Sequence, residues 1–279
     1  MKTQKLFIKD LSDDFKHSSA YLECYISDYM DYAKFTGERY PRPALMIIPG
    51  GGYGYCSDRE ALPIALRFIC EGFNTFVLRY TCKQKYPAPH KELAFFMNYL
   101  REHQRDFDIT DDNISLIGFS AGGHLVGSYS LYYEELGEEL GLDVSNLKPL
   151  GIVLAYPVIN VGEFSHLETR DIITNKEKEL MDKLSIEKHV TNDYPPTYIF
   201  TTLTDTVVPP KNTFEMIEAL KRNNVKYLSH IFEVGHHGGS LYTRGVYHEF
   251  NDEHLEAINN RVWVDEASDF LFSLIKGEK

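Results

Sequence analysis

Short apolar runs alternate with helix-patterned segments along this chain, and no other feature limits the possible fold as strongly. Apolar runs of strand length lie at residues 44–54, where the run ends in a glycine cluster, and at 74–80, 113–119, 150–159, 196–203 and 226–234. Segments with apolar side chains at helical spacing lie at residues 58–71, 90–107, 121–133, 211–224 and 263–276. Buried strands that alternate with helices are typical of an α/β fold with a mostly parallel central sheet and helices on both faces. We therefore predict this fold class, with residues 20–27 as an antiparallel strand at the sheet edge.

Composition indicates an ordinary globular chain without a nucleic-acid partner. The 279 residues, 43% of them hydrophobic, are enough for one large core. No repeat, low-complexity tract or Pro/Gly/Ser linker divides the chain, so we expect a single domain over residues 1–279. Acidic residues outnumber basic ones by 41 to 29, whereas nucleic acid favours clustered Lys and Arg.

The cysteines and the hydropathy pattern predict the cellular compartment of the protein. The four cysteines form neither a C-x-x-C pair nor a cluster with histidines: Cys24, Cys56, Cys70 and Cys82. This spacing argues against a zinc site and favours free thiols in a reducing compartment. Residues 1–14 lack the apolar core of a signal peptide, and no run approaches the length of a membrane span. We therefore expect a cytoplasmic protein with no membrane partner.

The stretch GFSAGG at residues 118–123 carries the most specific chemical signal. The pattern G-x-S-x-G is typical of a nucleophile elbow, in which Gly118 and Gly122 permit a sharp turn and Ser120 projects above the sheet. The alternative is an ordinary strand–helix turn with an N-capping serine. In parallel sheets, ligands bind beyond the carboxyl ends of the strands, and Ser120 follows such an end. We therefore favour the nucleophile.

A nucleophilic serine needs a base and an acid that orients the base, and hydrolases of this architecture place them in the order Ser, Asp or Glu, His. Asp205 follows the run 196–203, so we predict that it is the acid rather than an ordinary turn residue. The alternatives, Asp182 and Asp193, both lie in the polar segment before that run.

Two adjacent histidines follow the run 226–234, at the same predicted edge of the sheet as Ser120. We favour His237 as the base and expect His236 to be a solvated loop residue. His124 lies one helical turn after the serine, so its side chain is expected to pack beneath the elbow instead of acting as the base.

The glycine run in residues 49–53, PGGGY, predicts an oxyanion-binding loop. Backbone N–H groups can approach a substrate closely where no Cβ intervenes. We predict donation from the N–H groups of Gly51, Gly52 and Ala121. A phosphate-binding glycine loop is poorly supported, because neither G-x-G-x-x-G before a helix nor a G-K-[ST] ending is present.

Five stretches together resemble the α/β-hydrolase-fold acetyl esterase and carboxylesterase family, which includes xylan- and carbohydrate-deacetylating enzymes. They are RPALMIIPGGGYGYCSDREALPIAL, GFNTFVLRY, GFSAGGHL, PPTYIFTTLTDTVVP and GHHGGSL, in that order between about residues 40 and 240. The resemblance implies that Ser120 is the nucleophile, Asp205 the acid and His237 the base. It also implies that residues 50–52 form the oxyanion loop. Pro49 departs from the relatives that carry an H-G-G-G loop.

The resemblance implies a serine carboxylic-ester hydrolase that releases short acyl groups, acetyl among them, from carbohydrate or other small esters, without a cofactor or a metal. Tyr53 and Tyr55 flank the glycine loop, where their rings are expected to bound a short acyl slot and stack on a sugar. The alternatives are an amidase, peptidase or arylformamidase on the same fold, and a catalytically silent binding protein.

Residues 160–195 are too long for a plain connection between two strands. They contain a helix-like core near residues 176–188, and we expect a small cap that shapes the pocket. The alternative is a surface excursion. The sequence leaves the natural substrate and the oligomeric state open, a homodimer included.

Overall fold

A computed structural model describes residues 1–28, 35–37, 40–162, 165–247, 249 and 251–275 of the chain. Within these residues, eight strands form one sheet with the spatial order β1-β2-β4-β3-β5-β6-β7-β8. The pairs β1–β2 and β2–β4 are antiparallel, and the other neighbouring pairs are parallel. The strands are β1 (Lys2–Phe7), β2 (Tyr21–Ile26), β3 (Arg42–Ile48), β4 (Asn74–Arg79), β5 (Ile109–Phe119), β6 (Ile152–Ala155), β7 (Thr197–Thr202) and β8 (Tyr227–Phe232).

Helices cover both faces of this sheet. They are α1 (Leu62–Cys70), α2 (Ala88–Glu102), α3 (Ala121–Leu140), α4 (Leu167–Thr174), α5 (Lys178–Lys183), α6 (Lys211–Arg222), α7 (Asp252–Glu256) and α8 (Trp263–Phe272). Among these described helices, none combines the length and the apolar character needed to cross a bilayer.

The parallel strands are buried on both sides, which explains their continuous apolar runs. In β3, Met46 and Ile48 join a hydrophobic cluster with residues of α2, α3 and α6. Leu45 and Ile47 point to the opposite face and join a second cluster with residues of α1 and α8. The predicted α/β fold with a mostly parallel central sheet is confirmed.

The edge of the sheet differs from the prediction. The strand predicted at residues 20–27 is present as β2, but it lies between β1 and β4 instead of at the edge. The edge strand β1 has the sequence KTQKLF, and nearly all of its residues are exposed. It is held by its backbone ladder to β2, so it carries no apolar pattern that sequence analysis can detect.

The longest helix and the insertion also differ in detail. Helix α3 continues to Leu140, beyond the predicted end near residue 133, and stops at Gly141, which has a φ of 65°. The insertion at residues 160–195 contains two short helices, α4 and α5, where one helix near residues 176–188 was predicted. Residues 163–164 of the insertion and residue 276 of the predicted last helix lie outside the described residues.

Candidate active site

The turn from β5 into α3 fixes the position of Ser120. This serine has a φ of 51° and a ψ of −116°, a conformation that L-residues rarely adopt. A Cβ at Gly118 would lie 2.3 Å from the carbonyl oxygen of Gly122, and a Cβ at Gly122 would lie 2.2 Å from that of Ile48. The elbow therefore packs directly against the end of β3, and only glycine fits at either position. The Ser120 N–H donates to the carbonyl oxygen of Ala155 (3.0 Å), which ties the elbow to the end of β6.

The structure brings the three sequence-predicted residues into one hydrogen-bonded chain. The Ser120 hydroxyl and His237 Nε2 are 2.7 Å apart. On the other side of the imidazole, His237 Nδ1 lies 2.6 Å from Asp205 Oδ2. With Asp205 ionised, Nδ1 donates to the carboxylate, so Nε2 is left to accept from the serine hydroxyl. This is the arrangement of a nucleophile, a base and an orienting acid.

Asp205 is itself held rigidly. Its Oδ1 accepts hydrogen bonds from the N–H groups of Val207 and Val208, both at 2.9 Å. The Asp205 side chain is fully buried. The two N–H donors and His237 therefore fix the orientation of its carboxylate.

The alternative residues lie elsewhere. Asp182 is exposed and pairs with Lys188 at 2.7 Å, and Asp193 is also exposed. The His236 ring packs beside the rings of Tyr247 and His254, at centroid distances of 5.2 and 4.9 Å. Burial lowers the pKa of His236, and the nearby His254 lowers it further.

His124 is buried beneath the elbow, as its position in the helix predicted. Its Nε2 donates to the carbonyl oxygen of Leu184 (2.9 Å), so its Nδ1 accepts from the hydroxyl of Tyr53 (2.9 Å). Burial lowers the pKa of His124 to about 4, and the ring is neutral near pH 7. One imidazole thus connects α3 with the glycine loop and with the insertion.

The glycine loop faces Ser120. Gly51 and Gly52 have φ values of 117° and 62°, which favour glycine, and both line the same cleft as Ser120. Within the part of the chain that the structure describes, the N–H groups of Gly51, Gly52 and Ala121 donate to no protein acceptor. These N–H groups, the predicted oxyanion donors, therefore have no protein partner among the described residues.

The cleft at the serine is small and partly polar. Its volume is about 160 Å³, close to the ~150 Å³ of an engineered cavity that holds benzene. Tyr55 is 60% exposed at the rim. The lining residues are Gly51, Gly52, Tyr55, Ser57, Arg59, Glu60, Ser120, His166, Glu168, Val207, His237 and Gly238.

The predicted placement of Tyr53 in the substrate pocket is corrected by its burial. Its side chain is fully buried and packs beside the rings of Tyr80 and His124, at centroid distances of 5.7 and 5.9 Å. The residue has a φ of 62°, and the turn directs the ring into the core while Tyr55 remains outside. Tyr53 supports the loop from behind and does not line the cleft.

Sequence analysis missed two residues of the insertion that line the cleft, His166 and Glu168. A Cβ at Gly52 would lie 3.4 Å from a Glu168 carboxylate oxygen and 3.6 Å from His166 Cε1, so both side chains lie against the glycine loop. Burial lowers the pKa of His166, with a smaller contribution from His237. The only available signal was the presence of polar residues in an insertion beside the site, which does not single out these two.

Among the described residues, no group of three or more His, Cys, Asp or Glu side chains is arranged to hold a metal ion. The cleft instead holds a serine hydroxyl, an imidazole nitrogen that can accept its proton, and backbone N–H groups without a protein partner in the described part of the chain. This set can carry out acyl transfer through a covalent intermediate.

Strand order, elbow and assembled site together define the α/β-hydrolase fold. The BD-FAE family model matches residues 30–220, and the chain belongs to this family.

Three relatives illustrate the similarity. The chain is 30% identical over 216 residues to endo-1,4-beta-xylanase B of Butyrivibrio fibrisolvens, covering 74% of this chain and 34% of that protein. It is 25% identical over 273 residues to an acetylxylan esterase of Xylanibacter ruminicola, covering 93% of this chain and 50% of that protein. The carboxylesterase Cest-2923 of Lactobacillus plantarum superposes with a TM-score of 0.83 at 25% identity over 100% of both chains. The chain thus spans half or less of the length of the two curated relatives.

Proposed function

We propose that this protein removes acetyl groups from carbohydrate esters through a covalent acyl-enzyme on Ser120. The observation that carries this proposal is the hydrogen-bonded chain from Ser120 through His237 to Asp205, with distances of 2.7 and 2.6 Å. The Ser120 end of this chain lines a small cleft, which Gly51 and Gly52 of the glycine loop also line.

The chemistry proceeds in two halves. As Ser120 Oγ bonds to the acyl carbon, its proton passes to His237 Nε2, and Asp205 stabilises the imidazolium. The carbonyl oxygen becomes an oxyanion that accepts from the N–H groups of Gly51, Gly52 and Ala121. His237 then returns the proton to the departing alcohol oxygen, and the acyl group stays on Ser120. Water, deprotonated by His237, releases the acid and restores the serine.

The size of the cleft supports a short acyl group. A volume of about 160 Å³ accommodates acetyl or propionyl, whereas an octanoyl chain needs more space. A name among the relatives, acetylxylan esterase, agrees with this choice.

The polar walls support a sugar as the alcohol part. His166 Nδ1 accepts from the Thr169 N–H (3.4 Å) and lies 3.0 Å from the Thr169 hydroxyl, which can donate to the same nitrogen. In this arrangement the neutral imidazole carries its proton on Nε2 and can donate to a hydroxyl or ring oxygen. The Glu168 carboxylate can accept from a second hydroxyl. Tyr55 at the rim offers a ring face on which a sugar can stack. We also propose that residues 160–195, which supply His166 and Glu168, act as the substrate-binding cap.

The test compares acyl chain lengths on nitrophenyl esters, together with acetate release from acetylated xylo-oligosaccharides. We expect the highest kcat/KM for acetyl or propionyl, a steep fall by octanoyl, release of acetate from the sugars and no activity on triglyceride emulsions. Because one methylene changes binding by only about 1–3 kcal/mol, the difference between acetyl and butyryl is expected to be gradual. A profile that rises toward long chains contradicts the acetyl assignment. Folded protein that a fluorophosphonate does not label at Ser120 contradicts the nucleophile and favours a silent binding protein.

A further inference from the structure

We propose that Glu60, which sequence analysis did not assign to the site, is a positioning residue for this reaction. Its buried carboxylate holds the glycine loop and the loop that carries His237 in their working arrangement. The inference rests on the proposed function, because it concerns the rate of the same ester hydrolysis.

The Glu60 side chain is part of the cleft wall and makes two hydrogen bonds. The residue is only 3% exposed. Its Oε2 accepts from the Gly50 N–H at 2.9 Å, and its Oε1 accepts from the Tyr156 hydroxyl at 2.8 Å. Each oxygen therefore contacts a different part of the active site.

The first hydrogen bond orients the glycine loop. Gly50 lies directly against the elbow, since a Cβ there would be 3.0 Å from Ser120 Cβ. With the Gly50 N–H directed to Glu60, the next two N–H groups, those of Gly51 and Gly52, are the ones left for the substrate. The Gly50 carbonyl oxygen is also fixed, because it accepts from the Ser57 N–H at 3.0 Å. An oxyanion hole needs such fixed donors, since its contribution to the rate depends on their being in place before the charge develops.

The second hydrogen bond reaches the catalytic histidine through Tyr156. The rings of Tyr156 and His237 pack edge to face, with centroids 5.1 Å apart. The Tyr156 oxygen also accepts from the N–H of Ser240, three residues after His237, at 3.1 Å. Glu60 thus fixes the hydroxyl that supports both the His237 ring and the loop that carries it.

This arrangement requires a carboxylate. The Gly50 N–H donates to one carboxylate oxygen of Glu60, and the Tyr156 hydroxyl donates to the other. A glutamine has one acceptor oxygen and one NH₂ donor, so it can serve only one of these two donors. A second buried glutamate provides a matched comparison. Glu92 is 2% exposed and accepts from the Thr81 N–H (2.8 Å) and the Ser18 hydroxyl (2.6 Å), but it is not part of the cleft lining.

The experiment compares Glu60→Gln with Glu92→Gln, measuring kcat and KM on nitrophenyl acetate and the thermal midpoint of each variant. We expect Glu60→Gln to lower kcat by about 30- to 100-fold with KM within about threefold, since loss of one oxyanion donor costs about 10²–10³ in kcat. Glu92→Gln should lower the thermal midpoint by a similar amount and leave kcat within about threefold. Equal kcat for both variants, after comparable losses of stability, overturns the positioning role.

Tyr156→Phe keeps the inference testable if Glu60→Gln does not fold, because it removes only the hydroxyl. We expect a smaller fall in kcat, about tenfold, with little change in KM. Where both variants fold, the double variant should lose less than the product of the two single losses, because the two residues act through one hydrogen bond. A Tyr156→Phe variant with wild-type kcat, or fully multiplicative losses, contradicts the inference. Wild-type protein without esterase activity overturns the proposed function as well, whereas an active wild type with an unaffected Glu60→Gln overturns the inference alone.

Discussion

Ser120 combines a strained backbone with a side chain that is hydrogen-bonded to His237. Its φ of 51° is in the left-handed region that L-residues avoid, and such strain is of order 1–3 kcal/mol. The glycines on either side and the hydrogen bond to Ala155 hold the residue there. Holding the Ser120 hydroxyl in this position thus lowers the stability of the folded protein.

Two substitutions at Ser120 separate its reactivity from its strain. We expect both Ser120→Ala and Ser120→Gly to lose at least about 10³-fold in esterase activity, as triads do when the nucleophile is removed. Glycine adopts a positive φ without strain, whereas alanine does not. The free energy of unfolding of Ser120→Gly should therefore be about 1 kcal/mol higher than that of Ser120→Ala. Denaturant titration measures this difference. Activity within tenfold of wild type in either variant rules out the nucleophile.

The adjacent histidines differ in their contacts, so their alanine variants should differ in activity. His237→Ala removes the group between Ser120 and Asp205 and should be as damaging as Ser120→Ala. His236 packs on Tyr247 and His254, so His236→Ala should lose less than about tenfold, or about 1.4 kcal/mol of barrier. Steady-state kinetics on nitrophenyl acetate checks both, and a reversed order would move the base to His236.

At the scale of elements, the end of β3 and the start of α3 are packed with no space for a Cβ. A Cβ at Gly122 would meet the carbonyl oxygen of Ile48, which belongs to the sheet and cannot move aside. A Cβ at Gly127, five residues further along α3, would lie 2.8 Å from Cδ1 of Ile186 and 3.3 Å from the Tyr194 hydroxyl oxygen, so it would meet side-chain atoms and no backbone atom of the sheet. The same helix therefore contains one rigid and one adjustable glycine contact.

We expect Gly122→Ala to prevent folding or to lower the free energy of unfolding by more than about 3 kcal/mol, because backbone atoms would have to separate. Gly127→Ala, the matched control, should change it by less than about 1.5 kcal/mol, since alanine also favours the helix. Urea titration measures both. Similar values for the two variants would mean that the elbow is not tightly packed against β3.

The elements show which parts of the fold and site the sequence could predict. Positions with strong local signals, such as the apolar strands and the elbow at Ser120, were predictable because burial and backbone geometry restrict the residue types there. The edge strand β1 was not, because its exposed polar residues are paired only through the backbone. The positions of Tyr53 and Glu60 depend on contacts with residues far along the chain, His124 and Tyr156, and no local pattern records such contacts.

At the scale of the whole molecule, buried neutral histidines make stability dependent on pH. Burial lowers the pKa of His124 to about 4, and burial also lowers that of His90 well below its usual value. Below about pH 6.5 the unfolded chain binds protons at both residues, whereas the folded protein keeps both rings neutral. The stability they provide is complete above that pH and is lost progressively as the pH falls toward 4.

We therefore expect the free energy of unfolding to fall between pH 6.5 and 4.5, with each histidine contributing at most about 1.4 kcal/mol for each pH unit. His124→Gln keeps a donor and an acceptor near the right positions but does not titrate, so it should remove the share of this slope that belongs to His124, at most about 1.4 kcal/mol for each pH unit. Chemical denaturation at several pH values measures it. A slope that His124→Gln leaves unchanged would show that the ring is not the titrating group.

The hydrogen bonds of His124 also matter for protein engineering. The His124 ring joins helix α3, the hydroxyl of Tyr53 and the carbonyl oxygen of Leu184 in the insertion. A chimera that exchanges residues 160–195 for the equivalent segment of a relative therefore also replaces one hydrogen-bond partner of His124. Such a chimera should retain its turnover only if the donor segment places a backbone carbonyl oxygen where that of Leu184 lies, within hydrogen-bond distance of His124 Nε2.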